Sequence, residues 1–85
     1  MAKMLRLTDT DVANAVRASA SGSRSATLLR SGLEIVIRSG GSVSLDYLDR
    51  AIDSLVDYFI SSSEAAKCQR YFSALYDEQQ QDAAA

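Results

Sequence analysis

The chain has 85 residues, of which 47% are hydrophobic and 24% charged, and its formal net charge is −2. This composition predicts one folded domain and excludes wholesale disorder, and no apolar run is long enough to cross a bilayer. The sequence contains no histidine and a single cysteine, Cys68. The usual general base and metal ligand are therefore missing, so we expect no enzyme activity, no metal and no cofactor.

The N-terminal residues include a charged side chain, but no continuous hydrophobic segment follows them. We therefore expect no signal peptide, a cytoplasmic location and no membrane partner. The charge is unevenly divided: residues 1–40 contain six basic and three acidic residues, and residues 41–85 contain three basic and eight acidic residues. This division predicts two surfaces with different partners, the alternative being that both sets are simply solvated faces.

Capping residues and helical periodicity predict four helical segments. The first begins at Thr8 or Thr10 and carries a thin apolar stripe. The second begins near Ser23 or Ser25 and ends at the glycine-containing residues 39–41. Its apolar residues form two stripes, which predicts burial on two sides: one consists of Ala26, Leu29, Leu33 and Val36, and the other of Leu28 and Ile35 with Gly32 between them.

The third helix is predicted to begin at Ser44 and to carry a heptad stripe of Leu45, Leu48, Ile52, Leu55 and Phe59. Its other face is an acidic ridge, the candidate partner-binding surface, formed by Asp46, Asp49, Asp53 and Asp57. The fourth helix opens with Ser61 and Glu64 at the spacing of a capping box. Its inner stripe contains Ala65, Cys68, Phe72 and Leu75, and the cysteine is interpreted as a small core residue.

The predicted fold is mainly α, a small dimeric bundle of three to four helices. Residues 3–7 are either a short strand or an extended arm. The domain covers residues 1–78, with a basic half at 1–40 and an acidic helical hairpin at 44–78, and residues 79–85 are predicted to be a flexible tail. The second helix is more apolar than one small monomer can cover, which predicts a two-fold homodimer through Leu28, Gly32 and Ile35.

Residues 3–38 contain the segments Leu5-Arg6-Leu7-Thr8-Asp9, Gly22-Ser23-Arg24-Ser25 and Leu28-Leu29-Arg30-Ser31-Gly32-Leu33. In this order they resemble the strand, the turn and the second helix of the ribbon-helix-helix transcriptional regulators. The resemblance implies that two strands of a dimer enter the DNA major groove while the second helix's N-terminus holds a phosphate. The DNA-binding candidates that follow are Lys3, Met4, Arg6, Ser23, Arg24, Ser25 and Arg30.

Residues 34–75 resemble a different group in layout. An apolar helix is followed by Ser39-Gly40-Gly41-Ser42-Val43, a Leu/Ile-rich helix, a polar turn and a last helix containing residues 67–75. This pattern is similar to that of the small biofilm and acid-resistance regulators of the YmgB/AriR type, which are helical dimers.

Two functional hypotheses follow from these features. The first is a dimeric transcriptional regulator that binds double-stranded DNA through its basic half and a protein through its acidic half. The second is a protein-interaction module, a connector or inhibitor that binds a regulator or an enzyme without contacting nucleic acid; the acidic pI of about 4.8 favours it.

Overall fold

The computed structural model describes residues 3–37 and 42–84, with side chains described through residue 81. The elements in chain order are β1 (Met4–Arg6), α1 (Asp9–Ser19), α2 (Ser23–Ile37), β2 (Ser42–Ser44), α3 (Leu45–Asp53) and α4 (Ser62–Ala84). The predicted mainly helical fold is confirmed, and of the two alternatives left open for residues 3–7 the structure has the short strand, at Met4–Arg6. The predicted end of α2 at residues 39–41 lies outside the described residues. None of the helices in the described ranges is long and apolar enough to cross a membrane.

Short-range caps set where three of the helices begin. The Thr8 hydroxyl accepts a hydrogen bond from the backbone N–H of Asp11, whose carboxylate accepts one from the N–H of Thr8. Ser44 caps α3 by accepting from the N–H three residues later. Ser61 and Glu64 form the predicted capping box, with reciprocal bonds of 2.8 and 3.1 Å. Each cap satisfies N–H groups that have no partner inside the helix.

β1 pairs antiparallel with β2, and Leu5 lies opposite Val43. Both side chains are buried, because alternate residues of a strand point to opposite faces. The ladder continues one step further, where the N–H of Leu45 donates to the carbonyl of Lys3 at 2.8 Å. Strand β2 is not predicted from the sequence, because a single valine beside glycine and serine is also typical of a helix end.

The long helix α4 packs against α1, α3 and β1 and forms the centre of the fold. Of its predicted inner stripe, Ala65, Cys68 and Phe72 are buried and Leu75 is half-buried. The burial of these side chains removes apolar surface from water and is the main force that holds α4 in place.

Helix α4 continues to Ala84, through residues 79–84 of the segment that we predicted to be a flexible tail. Contacts with β1 explain its regular geometry at residue 79. The Gln79 amide donates to the carbonyl of Arg6 at 2.7 Å and accepts from its N–H at 3.1 Å. One turn earlier, the Lys3 ammonium lies 5.7 Å from the centroid of the Tyr76 ring, a cation–π distance.

Helix α3 ends at Asp53, so the prediction that its heptad stripe continues to Phe59 is wrong. Ser54 begins a tight turn, in which Leu55 and Val56 donate to carbonyls three residues earlier. Asp57 then adopts a φ of 79°, a left-handed conformation that aspartate tolerates better than most residues. The reversal buries Ile60 in the core and leaves Phe59 48% exposed.

The buried carboxylate of Glu64 joins the start of α4 to the connection between α1 and α2. Besides its bond to the N–H of Ser61, it accepts from the backbone N–H and the hydroxyl of Ser21 at 2.8 and 2.9 Å. The N–H groups of Ser61 and Ser21 and the hydroxyl of Ser25 lower the pKa of Glu64 from 4.5 to about 2, against a smaller opposing effect of burial. The folded protein therefore strongly favours the ionised form.

This lowered pKa predicts a loss of stability in acid. The contribution of ionised Glu64 is complete above about pH 4.5, and it disappears as the pH falls toward 2, because protonation is then easier in the unfolded chain. The full effect is on the order of 1–3 kcal/mol, because Glu64 lies close to the surface and solvent screens part of the interaction. Glu64→Gln should reduce the free energy of unfolding at pH 7 and weaken its pH dependence between 4.5 and 2. Urea unfolding measures both, with exposed Glu78→Gln as control, and equal pH dependence in all three proteins would contradict the prediction.

Candidate functional site: the two grooves beside α2

The predicted DNA-binding residues of β1 lie on the outer face of the two-stranded sheet. Met4 and Arg6 are exposed, while Leu5 between them points into the core. The backbone N–H and carbonyl of Arg6 are both bonded to Gln79, so the outer edge of β1 is occupied at this residue. Lys3 is also exposed and lies beside Tyr76.

The first turn of α2 already faces a carboxylate of the same chain. Ser21 and Ser25, which flank Ser23 and Arg24, both interact with Glu64. The positive end of the helix dipole and nearby donor groups attract anions, and here they contact an internal one. The spacing of Ser61 and Glu64 predicts a local cap, but it does not predict the bond from Glu64 to Ser21, which lies 43 residues away.

The four predicted acidic partner-binding residues do not form one ridge. Asp46 is exposed and accepts from the guanidinium of Arg50 at 2.7 Å, and Asp53 accepts from the amide of Gln69 at 2.8 Å. Asp57 lies beyond the end of α3, in the turn that leads to α4. The structure therefore separates Asp57 from the other three.

Asp49 is half-buried, and its Oδ1 atom is buried without a hydrogen-bond partner among the described residues. Burial raises its pKa, and the neighbouring Asp53 and Asp46 raise it further. Burial also raises the pKa of the Cys68 thiol to about 11, with Asp49 adding to the increase and Ser19 opposing it. Cys68 is therefore a protonated thiol at neutral pH, in keeping with its interpretation as a core residue.

An apolar groove of about 550 Å³ separates α2 from α3. Its walls include Val36 and Leu55, and two large side chains on it are mostly exposed: Ile35 at 73% and Tyr47 at 55%. Gly32 and Ile35, both predicted dimer residues, line this groove, whereas Leu28 is half-buried outside its lining. The second apolar stripe of α2 is thus partly open to solvent.

Gly32 lies against Leu55, in the turn that follows α3 of its own chain. A Cβ atom added to this glycine would lie 2.9 Å from Cδ1 of Leu55 and 3.3 Å from its Cδ2. The absence of a side chain at residue 32 therefore accommodates Leu55 within one chain. The close approach that we predicted across a dimer interface is made inside the subunit.

A second groove, of about 530 Å³, lies between α1 and α2. Two exposed arginines line it, Arg17 from α1 and Arg30 from α2. Arg30 is one of the predicted DNA-binding residues, and Arg17 is not. Only the packing of α1 on α2 shows that these residues, 13 positions apart, share a groove.

Within the described ranges, no group of three or more His, Cys, Asp or Glu side chains could hold a metal ion. The chain matches no protein-family model, and no significant match is found among curated proteins or solved structures.

The contact between Gly32 and Leu55 predicts a non-additive pair of substitutions. Gly32→Ala should change stability little, because a gain of about 1 kcal/mol in helix propensity is offset by displacement of Leu55. In a Leu55→Ala background the obstacle is gone, and the same substitution should stabilise the protein by up to about 1 kcal/mol. A double-mutant cycle in urea measures the coupling. Additive effects would show that the contact is not tight.

Proposed function

We propose that this chain is a non-catalytic protein-interaction module, a connector or inhibitor, that associates through the α2–α3 groove. One observation carries the proposal: Ile35 is 73% exposed on the rim of an apolar groove. Covering a side chain of this size is worth roughly 1.5–3 kcal/mol. A contiguous apolar surface of this kind is typical of a binding site.

The occupant that fits this groove is a second copy of the chain. The protruding Ile35 lies beside the concave surface, so a two-fold axis can place each isoleucine in the groove of the other copy, as an isologous interface requires. Arg50 also lines the groove and holds Asp46 at 2.7 Å. When two copies meet about a two-fold axis, the positive group of each pair can face the negative group of the other pair. A domain of 85 residues also buries a modest fraction of its own surface.

Sedimentation equilibrium tests the self-association. The wild type should be a dimer at micromolar concentration, and Ile35→Glu should weaken the dimer at least tenfold, because a charge would enter an apolar contact. Leu28→Glu, on the same stripe, should act in the same direction. Ala74→Glu changes an exposed residue of α4 and should leave the dimer intact. A wild-type monomer at this concentration, or an unchanged dimer in Ile35→Glu, would overturn the proposal.

A second candidate function is that of a DNA-binding transcriptional regulator. The observation that favours it is the exposure of Met4 and Arg6 on the outer face of the sheet, where the ribbon-helix-helix resemblance puts base-contacting residues. It ranks second because β1 pairs with β2 of its own chain. A ribbon of two β1 strands would have to form at the outer edge, where Gln79 bonds Arg6.

A mobility-shift series with duplex DNA tests this candidate. The wild type should bind at about 50 mM salt and lose affinity steeply as salt rises, because contacts with phosphates release counterions. Arg6→Gln should weaken binding, and Arg70→Gln, an exposed residue of α4, should not. A wild type that fails to bind at low salt, or whose binding is insensitive to salt, would exclude the candidate.

A further inference from the structure

The groove between α1 and α2 differs in chemistry from the apolar groove on the other side of α2. Its lining includes the small residues Ala13 and Ala26 and two hydroxyl-bearing residues, Thr27 and Ser31. Arg17 and Arg30 line it from opposite helices. Small side chains let a ligand approach the helix surfaces, and the arginines supply several N–H donors in planar, fixed arrangements.

Within the described part of the chain, ion pairs do not neutralise the two arginines. Across residues 3–37 and 42–81, the one ion pair with a separation of 4.0 Å or less joins Arg50 to Asp46. Glu34 lines the same groove but does not reach either arginine at that distance. Arg17 makes a single side-chain bond, to the amide oxygen of Asn14 at 3.3 Å. Most donors of both guanidinium groups therefore remain available for a ligand.

We propose that the α1–α2 groove binds the phosphodiester backbone of a nucleic acid, with Arg17 and Arg30 each contacting a phosphate. Guanidinium groups match phosphate oxygens in a bidentate geometry and stay charged at all physiological pH values. The opposite charges of the arginine pair and of the phosphates make this ligand complementary to the groove. The assignment rests on the second candidate function, nucleic-acid binding, and is independent of self-association at the α2–α3 groove.

In this assignment the phosphate contact lies at Arg30, further along α2 than the resemblance implies. The ribbon-helix-helix resemblance puts it at residues 23–25, but Glu64 already interacts with Ser21 and Ser25 there. A phosphate at that end would meet a buried carboxylate of like charge. Arg30 lies about two turns further along the helix and faces α1, where the nearest competing carboxylate in the lining, that of Glu34, is exposed.

Fluorescence anisotropy with labelled duplex DNA, single-stranded DNA and duplex RNA, each over a salt series, tests the proposal. Arg17→Gln and Arg30→Gln should each reduce the slope of log K against log salt by about 0.9 on duplex DNA, and the double variant by about twice as much. Glu34→Gln should strengthen binding, which a folding defect would not do. Arg70→Gln is the matched control on α4, and urea unfolding should show the stability of the exposed arginine variants unchanged.

The outcomes separate the groove from the broader function. If the wild type binds none of the three nucleic acids, both the groove assignment and the DNA-binding candidate fail. If it binds, and Arg6→Gln weakens binding while Arg17→Gln and Arg30→Gln do not, the candidate stands and the groove is wrong. Poly-glutamate is the remaining probe. Binding to it with the same arginine dependence, at equal ionic strength and as tightly as to duplex DNA, would assign the groove to acidic proteins and overturn the proposal.

Discussion

The carboxylate of Glu64 is the contact on which the arrangement of the helices depends. It closes the capping box of α4 and at the same time binds the connection between α1 and α2 through Ser21. A buried charge is tolerated only when it is fully hydrogen-bonded, and the lowered pKa of Glu64 shows that these bonds outweigh the cost of burial. Because α1 ends and α2 begins at this connection, the same contact fixes the position of the α1–α2 connection relative to the start of α4.

This internal anchor also determines which surfaces remain for partners. The anion-attracting first turn of α2 interacts with the chain's own carboxylate, and the outer edge of β1 is bonded to Gln79 at Arg6. The surface that remains available to partners runs along α2, which has a groove on each side. One side is apolar because α3 contributes Ile52 and the turn after α3 contributes Leu55, and the other is basic because α1 contributes Arg17.

Features that depend on residues within one helical turn could be predicted from the sequence. The caps at Thr8, Ser44 and Ser61 are examples, as are the buried stripes of α2 and α4. Features that join distant segments could not, such as the bonds between Arg6 and Gln79, 73 residues apart. The end of α3 was missed for a different reason. The heptad spacing of the apolar residues includes Phe59, so it predicts that the helix continues that far. Phe59 and Ile60 compete for one place in the core, and the spacing does not show that Ile60 is the residue buried there.

The two grooves share α2 as a wall, and their linings adjoin along it. Glu34 of the basic groove directly precedes Ile35 of the apolar groove, and Ser31 of the basic groove lies one turn before Ile35. Charges in physiological salt are screened over about 8 Å, so a charge introduced at Ile35 lies close enough to Glu34 to act on the basic groove as well. Self-association and anion binding therefore use adjoining faces of one helix, and uncharged substitutions of Ile35 and of the arginines separate the two properties more cleanly than a new charge does.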